Sequence, residues 1–189
     1  MVTKGHDIAG VTLVGVALAD QSLAFPDFRA SERTFQLLAQ VAGRAGRADT
    51  AGKVVLQTYQ PDHPAVRLAA KHDYESFFAE EIRDREEVGY PPFARLVSVR
   101  VQAGAEADAR GATRTLAETA RQHQAVREGA VQVLGPAPAP LLRLRGRYHY
   151  RLLLKSEDRK LLRNVTAHLA ARIDQGLAPA QASLDIDPL

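Results

Sequence analysis

Three long polar side chains, Gln40, Arg44 and Arg47, are spaced at i, i+4 and i+7 in the segment Gln-Val-Ala-Gly-Arg-Ala-Gly-Arg. On a helix this spacing places all three on one face. Gly43 and Gly46 lie between them, so little side-chain bulk would keep a phosphate away. Two guanidinium groups on one face suit a triphosphate, because each can hold phosphate oxygens bidentately. The pattern predicts that Arg44 and Arg47 are catalytic arginine fingers that stabilise a phosphoryl group in transfer, with Gln40 sensing the nucleotide or its water.

The same segment has a simpler interpretation as the solvated end of a basic helix. Arginine is common in the last turn of a helix, where its charge interacts favourably with the helix dipole. Composition alone favours this simpler interpretation, and the wider resemblance of the chain favours phosphate binding.

Residues 40–47 resemble motif VI of superfamily 2 helicases, and residues 1–7 resemble motif V. Residues 26–33 lead into motif VI as they do in the PriA family of primosomal proteins, and Tyr90–Phe93 and Leu184–Pro188 match that family too. The resemblance runs over nearly all of the chain. It implies the C-terminal part of a bacterial, cytoplasmic, ATP-dependent 3′-to-5′ DNA helicase that binds stalled forks and initiates primosome assembly. Its implied partners are forked and single-stranded DNA and other primosome proteins.

The sequence lacks the residues that would hold a nucleotide unaided. It contains no G-x-x-x-x-G-K-[ST] loop and no Asp-Glu pair after an apolar strand. In the family, the parts that bind ATP, magnesium and zinc lie N-terminal to motif V, and the zinc-binding cysteines are absent here. We therefore expect a portion that begins within the second helicase lobe, binds none of these cofactors alone and has no ATPase activity of its own.

Motif V supplies a further candidate contact with DNA. Thr3 offers a hydroxyl and Lys4 a point charge to a DNA backbone. The resemblance implies that this segment also relays the nucleotide state. Family members usually continue with Phe-Pro, whereas Ile8 and Ala9 follow here, and this departure affects the expected shape of the loop.

Positive charge is concentrated between residues 143 and 163, where the only acidic residues are Glu157 and Asp158. Cations beside aromatic rings suit single-stranded nucleic acid, because cations neutralise phosphates and rings stack on bases. Alternation predicts a DNA-binding face on one extended strand, made by Arg143, Arg145 and Arg147 with Tyr148 beside them. The alternative is a solvated hairpin whose tyrosines anchor the core.

Arg159 and Arg163 lie one turn apart on a predicted helix. Such a pair could hold a C-terminal carboxylate or an acidic tail. The resemblance implies that the tail is that of single-stranded-DNA-binding protein. The alternative is a plain solvated helix face.

The elements that position these residues form three predicted segments. Residues 1–60 show the strand-helix-strand order of a partial RecA-like lobe, and residues 61–92 form a helical connector. Residues 93–189 show the order β-α-β-β-α-β, which predicts a ferredoxin-like sandwich. The resemblance implies a small C-terminal domain comparable to a ribosomal S10-type fold. The predicted fold class is therefore α/β followed by α+β.

Local signals add detail to these segments. Val11–Leu18 is β-branched and apolar, which predicts a buried strand of a parallel sheet. Ser31 and Ser156 are predicted to cap helices, and the proline-rich Gly135–Pro140 to form a turn.

Composition limits the class of protein. A hydrophobic fraction of 46% supports a packed core, and the absence of cysteine excludes disulfides, which suits a cytosolic protein. The longest apolar run, Val11–Ala19, is too short to span a bilayer. The histidines lack metal-ligand spacing, and no nucleophile elbow occurs. A net charge of +3 permits contact with nucleic acid without requiring it.

Three functions are compatible with these observations. The chain could be the arginine-finger part of a helicase, or a module that only binds DNA and partner proteins. It could also belong to a degenerate PriA that has lost catalysis and keeps a loading role. An upstream nucleotide-binding loop in the same gene would distinguish the first from the third.

Overall fold

The computed structural model describes residues 12–43, 52–186 and 188. The chain divides into two compact units, one ending at Asp84 and one beginning at Arg85. Both units mix helices with strands, and there are six α-helices and two sheets in the described residues. The predicted mixture of helices and strands is confirmed at this level.

The first unit contains the strands β1 (Leu13–Val16) and β2 (Lys53–Leu56) and the helices α1 (Ala30–Ala42), α2 (Pro64–Ala69) and α3 (Tyr74–Glu87), the last of which runs past the boundary at Asp84. A short 3₁₀ helix, Gln21–Ala24, lies between β1 and α1. The two strands pair in parallel, with Leu13 opposite Lys53 and Val16 opposite Leu56. The prediction of a buried β1 is wrong for the described residues, because alternate residues are exposed and Leu13 is 61% exposed.

The core of this unit lies where α1, α2 and α3 meet. Phe35 and Phe77 stack with their ring centroids 4.3 Å apart, and Leu38 and Leu68 are buried beside them. Burial of such apolar side chains stabilises each by about 1.5–3 kcal/mol. Val16 and Leu56 pack against this cluster from the sheet, so one face of the strand pair is fixed to the helices.

Asp20 joins the ends of β1 and β2. Its carboxylate is buried and accepts a hydrogen bond of 2.8 Å from the Tyr59 backbone N–H. Burial raises the pKa of Asp20, but hydrogen bonds from Tyr59, Thr58 and Gln60 and from its own backbone N–H outweigh burial and lower the pKa overall. The carboxylate is therefore a structural acceptor for the loop that follows β2.

His63 caps α2 with its side chain. The Nδ1 atom accepts a hydrogen bond of 3.2 Å from the Ala65 backbone N–H, so the neutral ring is the capping form. Burial lowers the pKa of His63 from its ordinary value of 6.5, against the opposing effect of Glu81 and Asp84. Protonation would turn the acceptor into a donor and would place a cation at the positive end of the helix dipole.

Acidification is therefore expected to weaken the α2 cap. In the unfolded chain His63 keeps its ordinary pKa, so its stabilising contribution is complete above pH 6.5 and is lost as pH falls through the lowered folded pKa. A histidine-ring NMR titration should give a His63 midpoint below 6.5, and the Ala65 amide should exchange faster below that midpoint once intrinsic exchange is corrected for. His63→Asn, which caps without titrating, should remove this pH dependence, whereas His72→Asn should not. A His63 midpoint at or above the ordinary value would contradict this account.

The second unit contains the strands β3 (Arg95–Ala103), β4 (Gln132–Leu144), β5 (Arg147–Ser156) and β6 (Gln181–Ile186) and the helices α4 (Glu106–Gln122), α5 (Gln124–Arg127) and α6 (Arg159–Asp174). The strands form one sheet in the order β4-β5-β3-β6, and every neighbouring pair is antiparallel. The order of elements along the chain, apart from the short α5, is strand, helix, strand, strand, helix, strand.

One face of this sheet carries the core. Val99 and Val101 of β3 lie opposite Leu152 and Tyr150 of β5, and the buried side chains of α4 and α6 pack on them. On the other face Arg100 lies opposite Arg151, and Arg100 forms an ion pair of 2.6 Å with Asp185 of β6. β5 alternates between buried and half-buried residues from Tyr150 to Ser156, whereas β3 also buries Leu96 and Ser98 on the face that carries Arg100.

Three sequence-based predictions about local structure are wrong. Gly135–Pro140 is part of β4 rather than a turn, because an edge strand tolerates prolines that cannot donate to a ladder. Asp158 rather than Ser156 caps α6, since its Oδ1 accepts hydrogen bonds from the N–H groups of Lys160 and Leu161. Ser156 instead donates a bond of 2.6 Å to the Ala130 carbonyl, and α1 begins at Ala30 with no side-chain cap, so Ser31 lies inside it.

Across the described residues, none of the helices combines the length and the apolarity that a membrane span requires. Within the same part of the chain, no group of three or more histidine, aspartate and glutamate side chains could hold a metal ion.

Candidate nucleic-acid interface

A tight hairpin joins β4 to β5. Leu144 is paired with Arg147, so the connection consists of Arg145 and Gly146 alone. Both have positive φ, +51° and +78°, as a type I′ turn requires. Gly146 adopts this conformation without steric cost, and the turn matches the right-handed twist of the flanking strands. Extended strands lie on both sides of this turn.

The register of this hairpin separates the arginines that the sequence placed together. Arg143 lies opposite Tyr148, and Leu144 lies opposite Arg147. Residues that are directly opposite share a face and adjacent residues do not, so Arg143 and Arg147 point to opposite faces of the ribbon. The prediction of Arg143, Arg145 and Arg147 on one face is therefore wrong. The prediction fails because the turn at Arg145 and Gly146 interrupts the alternation of side chains between the two faces.

Arg143 and Tyr148 form one contact of the site. The Arg143 Cζ atom lies 5.4 Å from the centre of the Tyr148 ring, a cation–π geometry. Tyr148 is partly buried and packs against the core of the second unit. Its ring therefore positions the Arg143 guanidinium, and only part of the ring is open to a stacking base.

Tyr150 has a different role from Tyr148. It is buried, and its hydroxyl donates a hydrogen bond of 2.8 Å to Glu106 Oε1. This bond to the Glu106 carboxylate, together with burial, raises the pKa of Tyr150. Tyr150 thus anchors the base of the hairpin to α4.

Arg147 lies on the opposite face, and one of its hydrogen-bond donors has no acceptor in the described part of the chain. Its Nε atom is buried and has no hydrogen-bond partner among the described residues. A buried N–H without an acceptor is costly, so this side chain keeps one donor unpaired in the described fold. Arg145 is exposed at the turn itself.

The charged residues of the hairpin are all positive. Residues 129–156 contain no aspartate or glutamate, and their cations are Arg143, Arg145, Arg147, Arg151 and Lys155. Lys155 is engaged elsewhere: its Nζ donates a bond of 2.8 Å to the Val88 carbonyl and lies 5.7 Å from the centre of the Tyr90 ring. Arg143, Arg145 and Arg147 therefore form the positive charge at the end of the hairpin, which favours an anionic partner.

Arg159 and Arg163 lie exposed in the first turns of α6. Neither forms an ion pair or a hydrogen bond through its side chain within the described part of the chain. Two cations at the positive end of a helix dipole are slightly unfavourable, and an anionic partner would offset this. The spacing of one turn brings both guanidinium groups to the same side of the helix.

The other predicted site residues are not gathered here. Gln40 is exposed near the C-terminal end of α1, in the first unit. Arg44, Arg47, Thr3 and Lys4 lie outside the described residues.

The structure adds two residues that sequence reasoning missed. Leu144 and Leu141 are 47% and 57% exposed beside the arginines of the hairpin. The sequence carries a signal for Leu144, since a two-residue Arg-Gly turn fixes the phase of the strands on both sides. Leu141 has no such signal, because its exposure depends on an irregularity in β4.

Comparison with known proteins identifies the family. Residues 86–189 match the family described as the primosomal protein N C-terminal domain. The replication restart protein PriA of Synechocystis sp. is 43% identical over 99% of this chain and 22% of its own length. The PriA proteins of Bacillus subtilis and Haemophilus influenzae are each 38% identical over 100% of this chain, and over 23% and 25% of their own lengths.

This chain therefore spans about a quarter of the length of these relatives. Among solved structures, the de novo designed protein Foldit4 is similar over 49% of this chain, with 12% identity and a TM-score of 0.38, a level that supports no conclusion. The family match and the curated relatives together show that the chain belongs to the PriA family of replication restart proteins, of which it represents the C-terminal portion.

Proposed function

We propose that the chain is the C-terminal part of an ATP-dependent 3′-to-5′ DNA helicase that binds stalled forks and initiates primosome assembly in the bacterial cytoplasm. Support comes from relatives named replication restart protein PriA, which match the chain from end to end. In this proposal Arg44, Arg47 and Gln40 face ATP and magnesium held by the rest of the parent protein, and Thr3 and Lys4 contact the DNA backbone. Zinc belongs to the part of the family that lies upstream.

The proposal extends to the folds of the two units. The parallel β1–β2 pair with α1 between the strands in sequence supports the end of a RecA-like lobe. The sheet order β4-β5-β3-β6 supports a ferredoxin-like, S10-like domain, in which the first and third strands are central. We assign residues 1–60 to the lobe, 61–92 to a connector and 93–189 to this domain.

The binding of DNA is assigned to the β4–β5 hairpin through Arg143, Arg145, Arg147 and Tyr148. The single observation that carries this assignment is a ribbon whose end carries the exposed Arg143 and Arg145 and the half-buried Arg147, with no acidic residue between 129 and 156. Such a ribbon neutralises phosphates without competing internal ion pairs.

Replacing Arg143, Arg145 and Arg147 together by alanine is expected to weaken DNA binding and its salt dependence. The slope of log K against log salt concentration should become less steep by about 1.4, because a single strand meets Arg145 and the arginine of one face, and each lost contact removes about 0.7. Fluorescence anisotropy of a labelled oligonucleotide across a salt series measures this slope.

The matched control removes the same charge from helices α4 and α5 through Arg110→Ala, Arg114→Ala and Arg127→Ala. All three side chains are exposed in the same unit. The control should leave most of the slope intact. Equal changes in both triple variants would show that net charge rather than the hairpin binds DNA.

The acidic tail of single-stranded-DNA-binding protein is assigned to Arg159 and Arg163. Arg159→Glu with Arg163→Glu is expected to weaken the binding of an acidic peptide with a free C-terminal carboxylate by about tenfold or more, as for charge pairs at an exposed surface. Calorimetric titration of the peptide measures this change. Arg110→Glu with Arg114→Glu is the control, and an equal loss in both double variants would leave no specific tail site on α6.

The second candidate function is a non-catalytic module that recognises only DNA and partner proteins, as in a degenerate PriA. Support for it comes from the exposed cations of the hairpin and of α6, together with a sequence that contains no phosphate-binding loop. ATP turnover by the full-length parent distinguishes the two candidates.

A further inference from the structure

The tip of the β4–β5 hairpin, residues 141–148, presents cations on both of its faces. Arg143 lies on the face that it shares with Tyr148, Arg147 lies on the face that it shares with Leu144, and Arg145 lies at the end. A surface that follows one single strand needs cations on one face only. Cations on both faces of a narrow ribbon suit two phosphate backbones, one passing along each side.

Apolar side chains occupy the same tip. Leu144 is 47% exposed and Leu141 is 57% exposed. Between Pro138, opposite Tyr150, and Arg143, opposite Tyr148, β4 advances five residues while β5 advances two. The extra residues leave the ladder, and Leu141 is among them. Phosphates offer no partner for exposed leucines, whereas the flat face of a base pair does.

The tip is also held in place. Leu142 and Tyr148 pack against the core of the second unit, and the two-residue turn leaves little freedom at Arg145 and Gly146. A rigid apolar tip can bear against a base pair without first losing conformational entropy.

We propose that this tip is a wedge for the junction at which two DNA strands separate. One strand passes Arg143 and the other passes Arg147, while Leu144 and Leu141 cover the last base pair of the duplex. This inference rests on the proposed binding of DNA by the hairpin and names the structure in the DNA that the same site recognises. An intact duplex would have to be unstacked to accept the leucines, whereas a junction already exposes the face of its last pair.

The test compares three DNAs with this 189-residue chain: a fork with two single-stranded arms, a blunt duplex, and a single strand. Anisotropy should show the tightest binding to the fork. Leu144→Ser should lower fork affinity by about tenfold, as expected for an exposed leucine that becomes covered, and should leave the other two affinities nearly unchanged. Arg143→Ala and Arg147→Ala should each reduce the preference for the fork.

A fluorescent base analogue, 2-aminopurine, gives a second measurement. Placed in the last pair of the duplex, it should change its fluorescence when the chain binds, and Leu144→Ser should abolish that change. The same analogue placed five pairs inside the duplex should not respond. Ile186→Ser is the matched control, because Ile186 is an exposed apolar residue of the same unit, on the opposite edge strand of the sheet.

The outcomes separate this proposal from the one that it rests on. Variants that weaken all three DNAs equally would keep the hairpin as a DNA-binding surface and overturn the wedge. An unaltered fork affinity in Leu144→Ser would overturn it as well. Loss of acidic-peptide binding by Leu144→Ser, with DNA binding intact, would make the tip a protein-docking surface. No affinity for any DNA would overturn the proposed function itself, and the wedge with it.

Discussion

Arg44→Ala in the full-length parent is expected to lower the maximal rate of DNA-stimulated ATP hydrolysis by about 10³-fold or more, and Arg47→Ala should do the same. An arginine finger acts on the charge that develops as the phosphoryl group transfers, so its loss falls mainly on kcat. Steady-state turnover at saturating DNA and ATP measures the effect. Both residues lie outside the described part of the chain, and this prediction rests on the spacing of the sequence and on the family.

The controls for this prediction separate chemistry from binding. Arg44→Lys keeps the charge and loses the bidentate grip, so it should restore only a small part of the rate. Binding of DNA to the parent should survive in both alanine variants, and the isolated chain should hydrolyse no ATP because it carries no phosphate-binding loop. Losses smaller than tenfold in both variants would assign these arginines to a solvated helix end. An inactive wild-type parent would favour the non-catalytic alternative.

The positions of the main elements followed from short-range patterns. The order β-α-β-β-α-β predicted over residues 93–189 is the order of β3, α4, β4, β5, α6 and β6, apart from the short α5. The strand-helix-strand order predicted over residues 1–60 is seen, within the described residues, as β1, α1 and β2. These patterns are local, so the sequence alone carries them.

The arrangement of side chains at the hairpin could not be predicted from local sequence patterns, because it depends on the position of the turn and on contacts between residues far apart in the chain. Alternation treats residues 143–147 as one strand, and a turn of two residues at Arg145 moves Arg143 and Arg147 to opposite faces. Lys155 counts as a free cation in the sequence but meets Val88 and Tyr90, which lie far away along the chain. Candidate residues were therefore predictable one by one, and their grouping required the register of the sheet.

Helix caps show the same limit. Ser156 and Asp158 are both good capping residues, and sequence preference does not choose between them. The structure chooses Asp158, because Ser156 ends β5 and bonds to the Ala130 carbonyl. His63 caps α2 and His123 caps α5 through ring nitrogens, a role that the preference for serine, threonine and aspartate does not suggest.

Adding a single methyl group at Gly135 should strongly destabilise the second unit. Its φ of +104° is one that residues with a side chain rarely adopt. A Cβ atom there would lie 3.1 Å from the Arg151 carbonyl oxygen and 3.2 Å from the Ala137 nitrogen, both of them backbone atoms. The glycine lies where β4 takes an extra residue against β5, between the pairs Leu134–Leu153 and Ala137–Arg151.

Gly135→Ala is therefore expected to destabilise the second unit by about 2–4 kcal/mol, with strain at the backbone and the close contacts adding together. Exchange of the β5 amides with solvent deuterium reports the free energy of opening for this unit alone, even if the two units unfold separately. Gly129→Ala is the matched control, because its φ is +80° and nothing lies within 4 Å of an added Cβ. It should cost only about 1–2 kcal/mol, the penalty of a left-handed conformation. Equal losses of stability in the two variants would contradict this account. They would mean that the β5 backbone moves to accommodate the new methyl group, so the close approach of β4 to β5 at Gly135 adds no cost.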